Sequence, residues 1–357
     1  MAIELKKVSK RVGAETHIYE TSLTLEAGQF NILLGTTLSG KTSLMRLMAG
    51  LDKPSSGEVW FDGQNVTGIP VQKRSVAMVY QAFINYPNFT VFDNIASPLK
   101  VANVQQSEVN DRVRHLADLL KLTPMLKRMP SELSGGQQQR TALARALAKG
   151  ADLVLLDEPL ANLDYKLREE LREELPKLFA GTGATVVYAT SEPLEALMLG
   201  GFTSTLSAGH LIQFGETPFI YRNPSSLESA KVFSEPPINT AAVEKKGALM
   251  RLSENISWNV PDALSDAPDG RYTVGIRAYH LQPSGSGVKV SGDVQIAELS
   301  GSESIIRMIV EGNHWVSEAH GIHKYDVGTR ADFYFDAEKC FYFDSQGRTV
   351  FTSRQEG

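Results

Sequence analysis

The stretch Phe30-Asn31-Ile32-Leu33-Leu34-Gly35-Thr36-Thr37-Leu38-Ser39-Gly40-Lys41-Thr42-Ser43 runs from a short apolar segment into a glycine-bounded loop, and continues as Leu44-Met45-Arg46-Leu47-Met48-Ala49, which has helical composition. The spacing predicts strand, loop, helix. A Gly-x-x-x-x-Gly-Lys-Thr loop in that setting binds phosphate, because successive backbone N–H groups and the positive end of the helix converge on anionic oxygens. Gly35 and Gly40 let the backbone turn tightly, with Thr36, Thr37, Leu38, Ser39 and Ser43 around the phosphates. Lys41 reaches the β and γ oxygens, and the Thr42 hydroxyl is a ligand for Mg²⁺.

Working outward, the apolar run Leu153-Val154-Leu155-Leu156 ends in Asp157-Glu158. A pair of acids at a strand end is usually a solvated terminus, but the phosphate loop gives this one a context. Asp157 then holds the magnesium through its shell, and Glu158 orients or deprotonates an attacking water. Ala151 to Leu156 and Thr185 to Tyr188 read as parallel strands buried on both faces. The alternation of such runs with amphipathic stretches predicts an α/β domain. Residues 85–150 form its helical subdomain, including a helix from Ser107, as N-cap, to Leu122. Pro176 is expected to kink or end the helix carrying Leu167 to Phe179.

The chain has 357 residues, a length that favours two domains. Asn223 to Thr240 contains three prolines and few large apolar side chains, so it reads as the connection, with residues 1–235 before the break and 236–357 after it. The second part alternates short apolar segments with Ser, Gly and Asp clusters, which predicts a smaller all-β domain of the five-stranded, OB-like barrel type. A net charge of −5 argues against a nucleic-acid partner. A single cysteine, Cys340, fits a reducing compartment and a place in the core. His314, His320 and His323 lie close in sequence but lack a pattern that specifies a metal.

Between the two nucleotide motifs lies Leu133-Ser134-Gly135-Gly136-Gln137-Gln138-Gln139-Arg140. Ser134 stands where an N-cap belongs, Gly135 and Gly136 leave backbone N–H groups accessible, and the helix from Gln137 to Lys149 presents its positive end there. This is a second phosphate-binding surface. One chain cannot easily aim two such helix ends at one phosphate.

With these residues in hand, the chain resembles the ATP-binding cassette (ABC) family, and more narrowly the ATPase subunits of bacterial importers for sugars, polyols and glycerol derivatives. Leu133 to Arg140 is similar to the family's signature motif and Ala161 to Asp164 to its subunit-contact loop. Val79-Tyr80-Gln81 is similar to its glutamine loop. Gly275-Ile276-Arg277-Ala278-Tyr279-His280 resembles part of the regulatory β domain of the maltose-importer branch. The resemblance implies ATP and Mg²⁺ as cofactors, Gln81 touching the metal, and a head-to-tail pair in which Ser134, Gly135, Gly136 and Gln137 contact the partner's ATP. It also implies contact with two transmembrane permease subunits through Gln81, Tyr86 and Pro87, an indirect link to a periplasmic solute-binding protein, and a peripheral location on the cytoplasmic face of the inner membrane.

Three positions depart from the family pattern. Val12 stands where an aromatic ring usually stacks on adenine, Leu38 where the loop usually has glycine, and Ser191 where a switch histidine contacts the γ-phosphate. Stacking on a base is worth about 1–3 kcal/mol, and serine is neither a comparable base nor a cation. All three fall on the chain's own nucleotide, while the signature offered outward is intact. A heterodimer with a second, complete ATPase is therefore expected. The alternatives are an active homodimer and a non-hydrolytic nucleotide-binding regulator.

Overall fold

The computed structural model describes residues 2–82, 84–161 and 163–351. Two compact units divide between Thr217 and Pro218.

The first unit holds two sheets. Strands β1 (Ile3–Val12), β2 (Glu15–Leu25), β4 (Ser56–Phe61) and β5 (Gln64–Asn65) form an antiparallel sheet in the order β2-β1-β4-β5. The second sheet is built from β3 (Phe30–Leu34), β6 (Val76–Val79), β7 (Leu153–Asp157), β8 (Thr185–Thr190), β9 (Phe202–Ser207) and β10 (His210–Glu216), in the order β10-β9-β3-β8-β7-β6. Its strands run parallel except for β10 at the edge. Every residue of β3, β7 and β8 is buried, which is why these runs are continuously apolar or β-branched instead of alternating. Side chains from both sheets and from helix α1 (Lys41–Ala49) share one core, including Leu5, Leu33, Leu44, Met48, Leu155 and Val187.

Parallel pairing fixes where the loops emerge. Leu34 pairs with Thr190, Asp157 with Ala189 and Val79 with Leu156. The segments that follow β3, β6, β7 and β8 therefore leave the sheet side by side at its carboxyl edge, where open α/β sheets place their ligands.

Helices α2 (Val91–Val101), α3 (Gln106–Leu119) and α4 (Gly135–Ala148) pack on one another, forming the helical part expected over 85–150. α3 begins one residue before Ser107, with Gln105 as N-cap, so Ser107 lies inside the first turn. α5 (Tyr165–Phe179) runs through Pro176 and ends within a turn of it, where Ala180 donates its N–H to the Pro176 carbonyl (3.0 Å). A proline this close to the C-terminus interrupts little of the ladder. α6 (Pro193–Leu199) follows β8.

The second unit is all-β apart from short helices. It contains a six-stranded sheet, β13 (Ser257–Asn259), β12 (Leu249–Arg251), β11 (Asn239–Lys246), β14 (Gly270–Ile276), β19 (Phe341–Phe343) and β20 (Thr349–Phe351), in that order. A four-stranded sheet has the order β17 (Asn313–His320), β16 (Glu303–Val310), β15 (Val288–Leu299), β18 (Arg330–Phe335). Both are antiparallel and enclose one core in which Trp258, Trp315, Phe333, Phe335 and Tyr342 meet, with Cys340 fully buried among them.

The division at Thr217 precedes the break expected at Pro236, and the reason is packing. Helix α7 (Thr217–Arg222) precedes the presumed connection and helix α8 (Leu227–Val232) lies within it. Leu227 and Ala230 pack with Ile238, Phe341 and Phe343. Leu227 N–H donates to the Gly347 carbonyl, and Thr349 N–H donates to the Ser225 carbonyl. Arg277, 2% exposed, ties the same region down by donating to the carbonyls of Tyr221 (2.5 Å) and Phe233 (3.2 Å).

Candidate functional site

The loop after β3 surrounds a polar cleft of about 580 Å³, lined by Thr37 to Ser43, Glu15 to His17, Gln81, Glu158, Ala208 and Gly209. The glycines at its ends are there for space. A Cβ on Gly35 would sit 2.5 Å from the Leu206 carbonyl oxygen, and one on Gly40 would sit 2.7 Å from Ile18 Cδ1. Gly40 also holds φ 103°, the left-handed backbone that turns the loop into α1. Leu38 takes φ 67° and stands 94% exposed at the mouth, so its side chain points away from the loop interior.

Lys41 is buried and closes the loop on itself. Its Nζ donates to the carbonyls of Gly35 (2.7 Å) and Thr36 (3.1 Å) and lies 3.5 Å from Glu158 Oε1. Burial pulls its pKa below the usual lysine value, against the opposing pull of Glu158.

Thr42 Oγ1 donates to Asp157 Oδ2 (2.8 Å), joining the head of α1 to the end of β7. Burial raises the Asp157 pKa, opposed by the Thr42 hydrogen bond. Glu158 N–H donates to the Ala189 carbonyl (3.0 Å) and its backbone is left-handed, φ 46°. Its Oε2 accepts from Gln81 Nε2 (2.9 Å). Four residues from two strand ends and one helix head, Lys41, Asp157, Glu158 and Gln81, therefore meet in one polar cluster.

Ser191 is exposed and follows directly on Thr190, whose carbonyl accepts from Gly35 N–H (3.2 Å). It thus stands at the same sheet edge as the loop, although it does not line the cleft. Val12 lies at the β1–β2 turn, 51% exposed and outside the cleft lining. The ring that does line the cleft from this hairpin is His17. Tyr19 is engaged elsewhere, stacked on His210 with centroids 3.9 Å apart. The hairpin's twist, not readable from spacing, decides which side chain faces the cleft.

The signature segment forms a capping box. Ser134 Oγ accepts from Gln137 N–H (3.4 Å), and Gln137 Oε1 accepts from Ser134 N–H (3.0 Å). Gln137 thus spends its side chain on the helix start. Ser134 and Gly135 are exposed, and open space lies where a Gly135 Cβ would be. A ligand can approach the first turn of α4 at backbone distance. Asp164 caps α5 by accepting from Leu167 N–H (3.0 Å); its neighbour Asn162 lies outside the described residues.

Tyr86 and Pro87 belong to the turn before α2. Buried Asn94 holds this turn, accepting from Tyr86 N–H (2.8 Å) and donating to the carbonyls of Tyr86 and Phe89. Arg145 lies over the Tyr86 ring, 4.9 Å from its centroid. Ile84, Tyr86 and Phe89 remain about half exposed, an apolar patch beside Gln81. Among the described residues no helix is long and apolar enough to cross a membrane, and no cluster of His, Cys, Asp and Glu could hold a metal ion.

Comparison with known proteins agrees with this geometry. The profile of the ABC transporter family matches residues 18–161. The trehalose/maltose import ATP-binding protein MalK of Thermococcus litoralis is 36% identical over 98% of this chain and 99% of its own length. The alpha-glucoside transport ATP-binding protein AglK of Rhizobium meliloti is 33% identical over 97% and 98%. Among solved structures, the dimeric ATP-binding cassette MJ0796 in a post-hydrolysis state, bound to ADP and Pi, is similar with a TM-score of 0.56 and 29% identity, covering 60% of this chain and 98% of that one. On the strength of its phosphate loop, its capped signature helix and these full-length relatives, the chain belongs to the ABC transporter family, among the ATP-binding proteins of the MalK and AglK type.

Proposed function

We propose that the protein is the ATP-binding, energy-coupling subunit of an importer for a sugar or a related polyol or glycerol compound. The carrying observation is the convergence of Lys41, Thr42, Asp157, Glu158 and Gln81 at one sheet edge. The names of the relatives, which concern trehalose/maltose and alpha-glucosides, support a saccharide as cargo.

Lys41 and the loop N–H groups bind the triphosphate. The oxygens of Thr42, Asp157 and Gln81 are hard donors of the kind Mg²⁺ takes, and the Thr42–Asp157 contact already places two of them together. When bound, the ion would neutralise phosphate charge. Glu158 is the carboxylate placed to orient water. Ser134 to Gln137 meet the nucleotide of a second ATPase, and Asp164 belongs to the loop that contacts that subunit. The patch around Tyr86 and Pro87 meets the two permease subunits at the cytoplasmic face of the membrane, and a periplasmic solute-binding protein delivers the cargo.

The pairing is with a different ATPase. Ser191, at the same sheet edge as the phosphate loop, leaves this chain's own nucleotide side without the switch histidine, whereas its signature helix is capped and open. The test is co-purification with neighbouring transporter proteins, followed by ATPase assays with Glu158 and the partner's equivalent glutamate replaced separately. Loss of turnover only on the partner's replacement supports the asymmetric pair. Full turnover by an assembly holding two copies of this chain as its only ATPases would refute it.

A further inference from the structure

Behind the edge that carries Ser191, α5 contributes two arginines one turn apart, and both enter a charge network that the nucleotide reading leaves unused. Arg172 is 8% exposed; its Nη2 donates to Glu192 Oε2 (2.7 Å) and Glu195 Oε1 (3.3 Å). Glu195, 4% exposed, accepts on its other oxygen from Thr190 Oγ1 (2.6 Å) and Tyr188 OH (3.0 Å). Thr190 Oγ1 in turn accepts from Glu192 N–H (3.0 Å). The backbone on both sides of Ser191 is thus pinned to buried charge.

Arg168 spans to a second loop. Its Nη1 donates to Glu192 Oε1 (3.1 Å), and its Nη2 donates to the Ala161 carbonyl (3.1 Å) and, more weakly, to the Leu163 carbonyl (3.5 Å). One planar guanidinium therefore joins the segment that follows Glu158 to the segment that contains Ser191. Buried ion pairs are seldom the most stable filling for a core, since apolar packing often does as well. Their directional bonds do fix geometry.

We propose that Arg168 is a positioning residue that locks the loop over 158–164 to the loop over 190–192, so that the state of the bound nucleotide and the contact with the neighbouring ATPase change together. The inference rests on the nucleotide reading above. Arg172 and Glu195 anchor the Glu192 end of the link. Lysine cannot replace Arg168, because a single ammonium on a flexible stem lacks the fork that serves both loops at once.

The test uses the full chain in its assembled transporter, with Arg168→Ala, Arg168→Lys and Glu192→Gln. Nucleotide affinity is read with a fluorescent ATP analogue, turnover by phosphate release, and stability by thermal unfolding. Arg168 holds Ala161 and Leu163, next to Asp164 of the loop that meets the neighbouring ATPase, and a misplacement of about 1 Å there can cost the partner's site up to about a hundredfold in rate. Both Arg168 variants should therefore lose about tenfold or more in turnover, while affinity and melting temperature stay near wild type. Glu192→Gln should move in the same direction. If Arg168→Ala does not fold, Arg168→Lys and Glu192→Gln carry the test. Unchanged turnover, or a parallel fall of turnover, affinity and melting temperature, would overturn the proposal. A Lys41→Ala variant that binds the analogue like wild type would instead overturn the nucleotide reading on which it rests.

Discussion

Gln81 and Glu158 are hydrogen-bonded to each other, amide Nε2 to carboxylate Oε2 at 2.9 Å, while the other oxygen of Glu158 faces the Lys41 ammonium at 3.5 Å. The carboxylate therefore competes with any incoming phosphate for Lys41, and the same contact holds the glutamine loop to the end of β7.

From that competition follows the behaviour of Glu158→Gln. Removing the charge frees Lys41 for phosphate, and a partly buried charged contact is worth about 1.5 kcal/mol or more. ATP affinity should rise by roughly tenfold. Titration with a fluorescent ATP analogue measures it; weaker binding than wild type would contradict the contact's role.

Acidification should strip the metal dependence of binding early. Burial raises the Asp157 pKa, so the carboxylate is protonated in the folded protein at a pH where an exposed one is still charged. Between the unfolded and the folded value the native state binds more protons, and stability falls as pH rises through that window. Two outcomes follow. Mg²⁺-dependent nucleotide binding should be lost at a higher pH than an ordinary aspartate would dictate. Asp157→Asn should abolish Mg²⁺ dependence yet leave the melting temperature equal or higher, as isothermal titration and thermal scans would show.

Restoring Ser191→His tests whether this chain's own pocket is short of one contact. A positioned acid or base contributes about a hundredfold or more when all else is in place. A gain of about tenfold in phosphate release by the assembled transporter whose partner carries a disabled glutamate is expected; no gain would place the defect elsewhere in the pocket.

His280 makes the β unit sensitive to mild acid. Burial, with Lys339 and Arg277 nearby, lowers its pKa to about 4, against a weaker opposing pull from Asp336. The unfolded chain then binds a proton that the folded one refuses between about 6.5 and about 4, so stability drops as pH falls through that range. Urea unfolding monitored by tryptophan fluorescence should show a slope of up to about one proton, and His280→Gln should remove it.

Much of the loop and cap geometry was legible because it resides in short motifs whose residues are consecutive. Gly35 to Thr42 and Ser134 to Gln137 carry their geometry in their own backbone, as loop and capping box. The Arg168 bridge was not legible. In Leu167-Arg168-Glu169-Glu170-Leu171-Arg172 charges occupy most positions, so the stretch reads as a solvated helix face, and only the packing of α6 beside it, with Glu192 and Glu195, shows which arginines turn inward. That His17 and not Val12 lines the cleft was hidden for a related reason: β1 and β2 pair with several register shifts, and each shift changes which face a side chain takes. Proline content places the boundary at Pro236, whereas the packing of Leu227 and Ala230 on Phe341 and Phe343 joins α8 to the β unit.

Glu158 carries its carboxylate on a left-handed backbone, φ 46°, a conformation that costs a branched or long side chain about 1–2 kcal/mol and glycine almost nothing. Substitution of this acid by glycine or asparagine would thus relax the main chain instead of straining it. If Glu158 is the residue that readies water, its loss to either of these two would leave the scaffold sound, and a silenced cassette need not be an unstable one.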